Sequence, residues 1–210
     1  MKLFNTESDI STLNTGDLLL FAGKCPGATG ILDKAISYFT QSPYTHVGVV
    51  LKDPVFIHPS LKGLYLWESG WENGNPDPQD GKVKLGVQIT PLYEILDSYK
   101  NNGYVYYRKI INGRELFTPE KLLDIHKVVY DKPYDIIPTD WIGAITRKDS
   151  SPQKTSRFWC SALVAYIYTQ LCILPNDTDW SITRPCDFSS SKTYLTYLNG
   201  FLLSEDTILS

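Results

Sequence analysis

Apolar residues along this chain fall into short strand-like runs interrupted by helix-like stretches, and the period of each run predicts its element. Residues 16–21 join a turn at Gly16-Asp17 to four consecutive apolar positions, a short buried strand. A glycine-containing loop follows over 22–30. Apolar residues at 31, 32, 35, 36 and 39 have helical spacing, and Gln41-Ser42-Pro43-Tyr44 breaks that helix. Residues 45–51 form a β-rich run that opens with Thr45-His46, and residues 55–58 and 63–69 predict two further strand segments around a Pro-Ser turn. The glycine-, proline- and asparagine-rich stretch 70–81 predicts an exposed loop. Strands are expected again at 84–90 and 104–111, the second closed by an Asn112-Gly113 turn, with a short helix from Pro91 through Ser98 between them.

Two longer helical patterns follow. Thr118-Pro119-Glu120 supplies a cap, a proline at the first helical position and an acid, ahead of Leu122, Leu123, Ile125 and Val129. Lys132-Pro133-Tyr134-Asp135 ends that helix, and a loop containing Trp141 leads to the second. This one starts almost at Cys160 and buries Leu163, Val164, Ile167 and Leu171, with Thr155 and Ser156 upstream as capping side chains. Asp187 caps a short final helix or coil. No internal repeat or linker interrupts the pattern. The expected organisation is one α+β domain at 16–200, with a lead-in at 1–15 and a tail at 201–210.

Composition narrows the function. The 210 residues are 42% hydrophobic and 20% charged, an ordinary globular balance. A net charge of −3 without a basic run argues against nucleic acid as a partner. No apolar run reaches the ~20 residues of a membrane helix, and the first nine residues lack the apolar core of a signal peptide. The cysteines at 25, 160, 172 and 186 form no C-x-x-C pair, so reduced thiols in a cytoplasmic or otherwise intracellular protein are expected. The three histidines form no H-E-x-x-H pattern, so neither a metal nor another cofactor is called for.

Cys160 lies in the first turn of its helix, beside unpaired backbone N–H groups and the positive end of the dipole, where a thiolate is favoured. A small buried cysteine packing like alanine is the plain alternative. A thiol nucleophile needs a base and a group that orients the base. His46 opens a strand, whereas His126, between Asp124 and Lys127, reads as a solvated helix position and His58 as a loop edge. Glu68 ends the Leu64-Tyr65-Leu66-Trp67 run and could hold an imidazolium. Tyr134 could donate to an oxyanion or simply pack.

Taken in order, Gly16-Asp17-Leu18-Leu19-Leu20-Phe21, Tyr44-Thr45-His46-Val47-Gly48-Val49-Val50, Trp67-Glu68-Ser69, Lys132-Pro133-Tyr134-Asp135 and Phe158-Trp159-Cys160-Ser161-Ala162-Leu163-Val164 resemble the circularly permuted NlpC-type papain-like superfamily. Its relatives include bacterial YiiX/YebB-like proteins, poxvirus relatives and the lecithin–retinol acyltransferase group. The resemblance spans residues 16–190. It implies a permuted papain-like fold, an antiparallel sheet or half-barrel packed on the nucleophile helix. It also implies Cys160 as nucleophile, His46 as base and Glu68 as the third member. Tyr134, Tyr44 and Trp159 are then the expected oxyanion or substrate-binding residues. The implied activity is cleavage of an amide (peptide or isopeptide) or ester bond, with a peptide or acyl group as substrate partner. A lipid acyltransferase or phospholipase-type thiol enzyme and a catalytically silent binding module stay open. A virion association is implied if the source is viral.

Overall fold

A computed structural model describes residues 10–23, 42–101, 103–135, 153 and 155–209, with residues 71–74 described in their backbone alone. The helix expected at 31–39 and the loop containing Trp141 lie outside the described residues. The chain folds as a mixed α+β protein around a mostly antiparallel sheet. The strands are β1 (Leu18–Gly23), β2 (Tyr44–Lys52), β3 (Leu64–Pro76), β4 (Val83–Pro91), β5 (Gly103–Arg108), β6 (Ile110–Asn112), β7 (Leu202–Leu203) and β8 (Thr207–Ile208). Six of them form one sheet in the order β4-β3-β2-β1-β5-β8, and β6 pairs with β7. The described helices are α1 (Leu92–Tyr99), α2 (Pro119–Val129) and α3 (Cys160–Gln170).

Alternation along the strands sends side chains to two different cores. Val47, Val49, Tyr65, Trp67, Val87 and Ile89 join the larger cluster, which includes Leu163, Val164 and Ile167 of α3. Leu19, Phe21, Val50 and Leu66 join a smaller cluster with Leu92, Ile95 and Tyr99 of α1. Burial on both faces explains why β1 and β2 read as near-continuous apolar runs.

Three expectations about elements are corrected. Residues 70–76 are not an exposed loop: they continue β3, and pairing runs on through Gly70↔Gly86 and Trp71↔Leu85 to Pro76↔Val83, with an irregularity before the last pair. The turn itself is confined to residues near Asp77, where Asp77 N–H donates to the Lys82 carbonyl at 2.8 Å. Asp77 is buried there and, with Asp80, accepts from the buried Lys84 ammonium at 2.8 and 2.9 Å. Residues 55–58 form turns instead of a strand, because Ile57 N–H folds back on the Pro54 carbonyl at 3.0 Å. Finally, Thr155 and Ser156 do not cap α3. Its N-cap is Trp159, in extended conformation and without a side-chain cap bond.

Other local signals hold. Thr118 Oγ1 accepts from Lys121 N–H at 3.4 Å with Pro119 behind it, and Gly113 takes the left-handed conformation (φ 98°) that ends β6. A fourth correction falls at Asp187, which does not precede a final helix: it lies inside a 3-10 turn at Pro185–Phe188 whose N-cap is Arg184, and its carboxylate accepts from Arg184 N–H at 2.8 Å. Residues 201–209 are woven into the fold through β7 and β8.

Candidate active site

The site forms where two strands part. β2 and β3 are in register from Lys52↔Leu64 to Val49↔Trp67. Beyond that point β2 keeps β1 as its partner, with His46 opposite Phe21, while β3 keeps β4, with Glu68 opposite Gln88. His46 and Glu68 bridge the parting strands through their side chains: His46 Nε2–H donates to Glu68 Oε2 at 2.5 Å. The other carboxylate oxygen, Oε1, accepts from the Thr90 hydroxyl at 2.6 Å. Glu68 is fully buried and His46 nearly so. The imidazole leans on the Phe21 ring, centroids 5.3 Å apart. Gly70 leaves its other side open, since a Cβ there would come within 3.3 Å of His46 Cε1.

Cys160 reaches this ring from α3. Its side chain lies close enough to His46 to act on the ring's proton affinity, and with Nε2 given to Glu68 the ring nitrogen left for sulfur is Nδ1. Burial alone would push His46 down. The hydrogen bond and charge of Cys160, followed by those of Glu68, outweigh burial and hold the imidazole well above its ordinary range. Cys160 is the first residue of α3, whose first turn carries no acid. Its backbone N–H therefore belongs to the set that no intrahelical carbonyl satisfies, at the positive end of the dipole.

The start of α3 is anchored from several sides. Ser161 Oγ donates to the Thr183 carbonyl at 2.7 Å and Trp159 Nε1 donates to the same oxygen at 3.3 Å. Ser69 Oγ donates to the Phe158 carbonyl at 2.6 Å. Phe158, Tyr166 and Trp180 stack on one another with centroids 5.3 to 5.5 Å apart.

The remaining expected residues occupy distinct places. Trp159 is a buried wall beside Cys160, its indole N–H committed to Thr183. Tyr134 is half-buried against the larger core. Its N–H donates to the Leu85 carbonyl at 3.0 Å, and its backbone pairs with Phe158 two residues before the cysteine. Tyr44 precedes His46 by two residues, but a register shift between Phe21 and Ala22 separates them. Its hydroxyl donates to Asp206 Oδ2 at 2.7 Å, and burial, then the bond to and charge of Asp206, raise the phenol well above its usual range.

The other two histidines stand apart from Cys160. His58 is exposed, its Nδ1 2.7 Å from Ser60 Oγ. His126 is not a solvated helix residue: it is buried, its Nε2 lies 2.9 Å from Gln79 Oε1, and it packs on Tyr130 and Trp67. Its place on the face of Leu122, Ile125 and Val129 was readable from helical spacing. Sequence reasoning missed Thr90, Ser69, Ser161 and Thr183 as supports of the site. Only Thr90 carried a signal, since alternation from Gln88 puts it on the face of β4 beside Glu68.

Among the described residues, no three His, Cys, Asp or Glu side chains gather where they could hold a metal ion, and no helix is long and apolar enough to cross a membrane. Comparison with protein-family models and with curated proteins finds no match to this chain.

Proposed function

We propose that this protein is a cysteine-dependent hydrolase that cleaves an amide or ester bond through an acyl-thioester on Cys160, on a permuted papain-like fold. One observation carries the reading: the buried His46 ring is hydrogen-bonded to Glu68 and lies where the hydrogen-bonding and charge of the Cys160 side chain raise its affinity for a proton. The chain order supports the fold assignment, with base and carboxylate on adjacent strands ahead of the nucleophile helix.

In this reading His46 Nδ1 accepts the Cys160 proton and the sulfur attacks the substrate carbonyl carbon. The developing oxyanion is met by the Cys160 backbone N–H, with the Tyr134 hydroxyl as the proposed second donor. Collapse breaks the bond to the leaving amine or alcohol, which takes its proton from the His46 imidazolium. His46 then removes a proton from water, the hydroxide attacks the thioester carbonyl, and the carboxylic acid leaves as the sulfur recovers its proton. Glu68 stabilises the imidazolium in both halves and is not consumed.

The test is labelling with electrophilic probes, peptidyl against fatty-acyl, followed by mass mapping. Adducts on Cys160 from peptidyl probes, lost in Cys160→Ser, support an amidase or peptidase. Fatty-acyl adducts alone move the assignment to a lipid acyltransferase or phospholipase. Folded protein that takes no probe at Cys160 is a binding module, and the proposal fails.

A further inference from the structure

We propose that Thr90 is a positioning residue of this site, one that dictates which carboxylate oxygen His46 receives. The proposal rests on the reading of Cys160 and His46 as a proton-transfer pair.

Glu68 has no exposed surface, so each of its oxygens depends on the protein for a donor. The two oxygens are divided between two neighbours. Oε1 accepts from Thr90 Oγ1 at 2.6 Å and Oε2 faces His46 Nε2 at 2.5 Å. Thr90 is itself buried and sits diagonally across the β3–β4 ladder from Glu68: its Cα partner is Leu66, while that of Glu68 is Gln88. A carboxylate with one oxygen unclaimed can rotate and present either atom to the imidazole. With Thr90 on Oε1, only Oε2 is left for His46.

The same hydroxyl fixes the contact with the ring. A Glu68 carboxylate that turns away from His46 Nε2 supports an imidazolium less well, because the charge-assisted hydrogen bond depends on that alignment. Among the described residues, the groups brought to this point are His46 from β2, Cys160 from α3, Thr90 and Gln88 from β4, and Phe21 from β1 with Tyr99 of α1 behind it. None of these is a lysine or arginine that could replace the Thr90 donor.

The experiment follows iodoacetamide alkylation of Cys160 against pH by mass mapping, with the exposed Cys172 as internal reference. In Thr90→Val the acid limb of the Cys160 profile should move up by about one pH unit, so that the rate on that limb falls about tenfold. Thr90→Ser, which keeps the hydroxyl, should return the limb to its original place. Coincident profiles for Thr90→Val and the unmodified protein overturn the proposal. So does an equal loss of rate at every pH in both variants, which would mean packing alone. If Thr90→Val does not fold, Thr90→Ala is judged by the same shift of the limb. In the unmodified protein, a Thr90 hydroxyl proton in fast exchange with solvent by NMR also overturns it. Failure of the underlying reading looks different: Cys160 of the unmodified protein would then react no faster than Cys172 near neutral pH.

Discussion

Glu68 and Ser69 are consecutive residues of β3, yet they hold opposite halves of the site. Glu68, on the face of Leu66, binds His46, and Ser69, on the face of Trp67, binds the Phe158 carbonyl two residues before Cys160. One dipeptide thus contacts both the His46 ring and the segment that leads into Cys160. Ser69→Ala should cost about 1 kcal/mol of stability in urea denaturation. It should also slow Cys160 alkylation while leaving the midpoint of its pH profile unchanged, because it loosens the approach to Cys160 without touching the charges. An altered midpoint would show that Ser69 acts on His46.

The raised affinity of His46 for its proton has a reactivity consequence. At pH 6 to 7 the ring can hold the Cys160 proton, so iodoacetamide should label Cys160 roughly tenfold or more faster than Cys172. His46→Ala should erase that difference, and Glu68→Gln should reduce it by less. Equal labelling of both cysteines would remove Cys160 as nucleophile, and an undiminished rate in Glu68→Gln would remove Glu68 from the set. Stability follows the same proton. A folded-state value above the unfolded one stabilises fully below the ordinary histidine range, and that contribution is lost as pH rises through the folded value.

His126 has the opposite sign. Burial lowers it to about 4; Asp77 acts against that and Lys84 adds to it. The unfolded chain therefore takes up this proton first as pH falls, and stability declines between about 6.5 and 4. Crossing the whole window costs roughly 3 kcal/mol. Denaturant melts from pH 7 to 4 should show this decline, and His126→Gln should flatten it. An unchanged slope in that variant would assign the acid sensitivity to other groups.

Cys160 and His46 were readable as candidates because they sit at or near the start of elements with a clear period; Glu68 was read as a strand end, whereas β3 continues through it to Pro76. Of their supports, Thr90 was marked only by alternation along β4 from Gln88, and Ser69 was not readable, since it acts on a carbonyl 89 residues away. The stretch 70–76 misled for a physical reason. Its glycine, asparagine and proline residues disfavour an isolated strand, but pairing with β4 overrides that preference. His126 was misjudged on its charged neighbours Asp124 and Lys127, although its helical spacing from Leu122 and Val129 placed it inward.

The contact between Ser69 and Phe158 spans 89 residues of chain. During vectorial synthesis β1 through β4, and with them His46 and Glu68, are all translated before Cys160. A nascent chain at that stage can pair His46 with Glu68 but has no Cys160. The His46–Cys160 pair comes into being only when α3 docks, so any modification of Cys160 that depends on His46 is confined to molecules that have finished this late, long-range step.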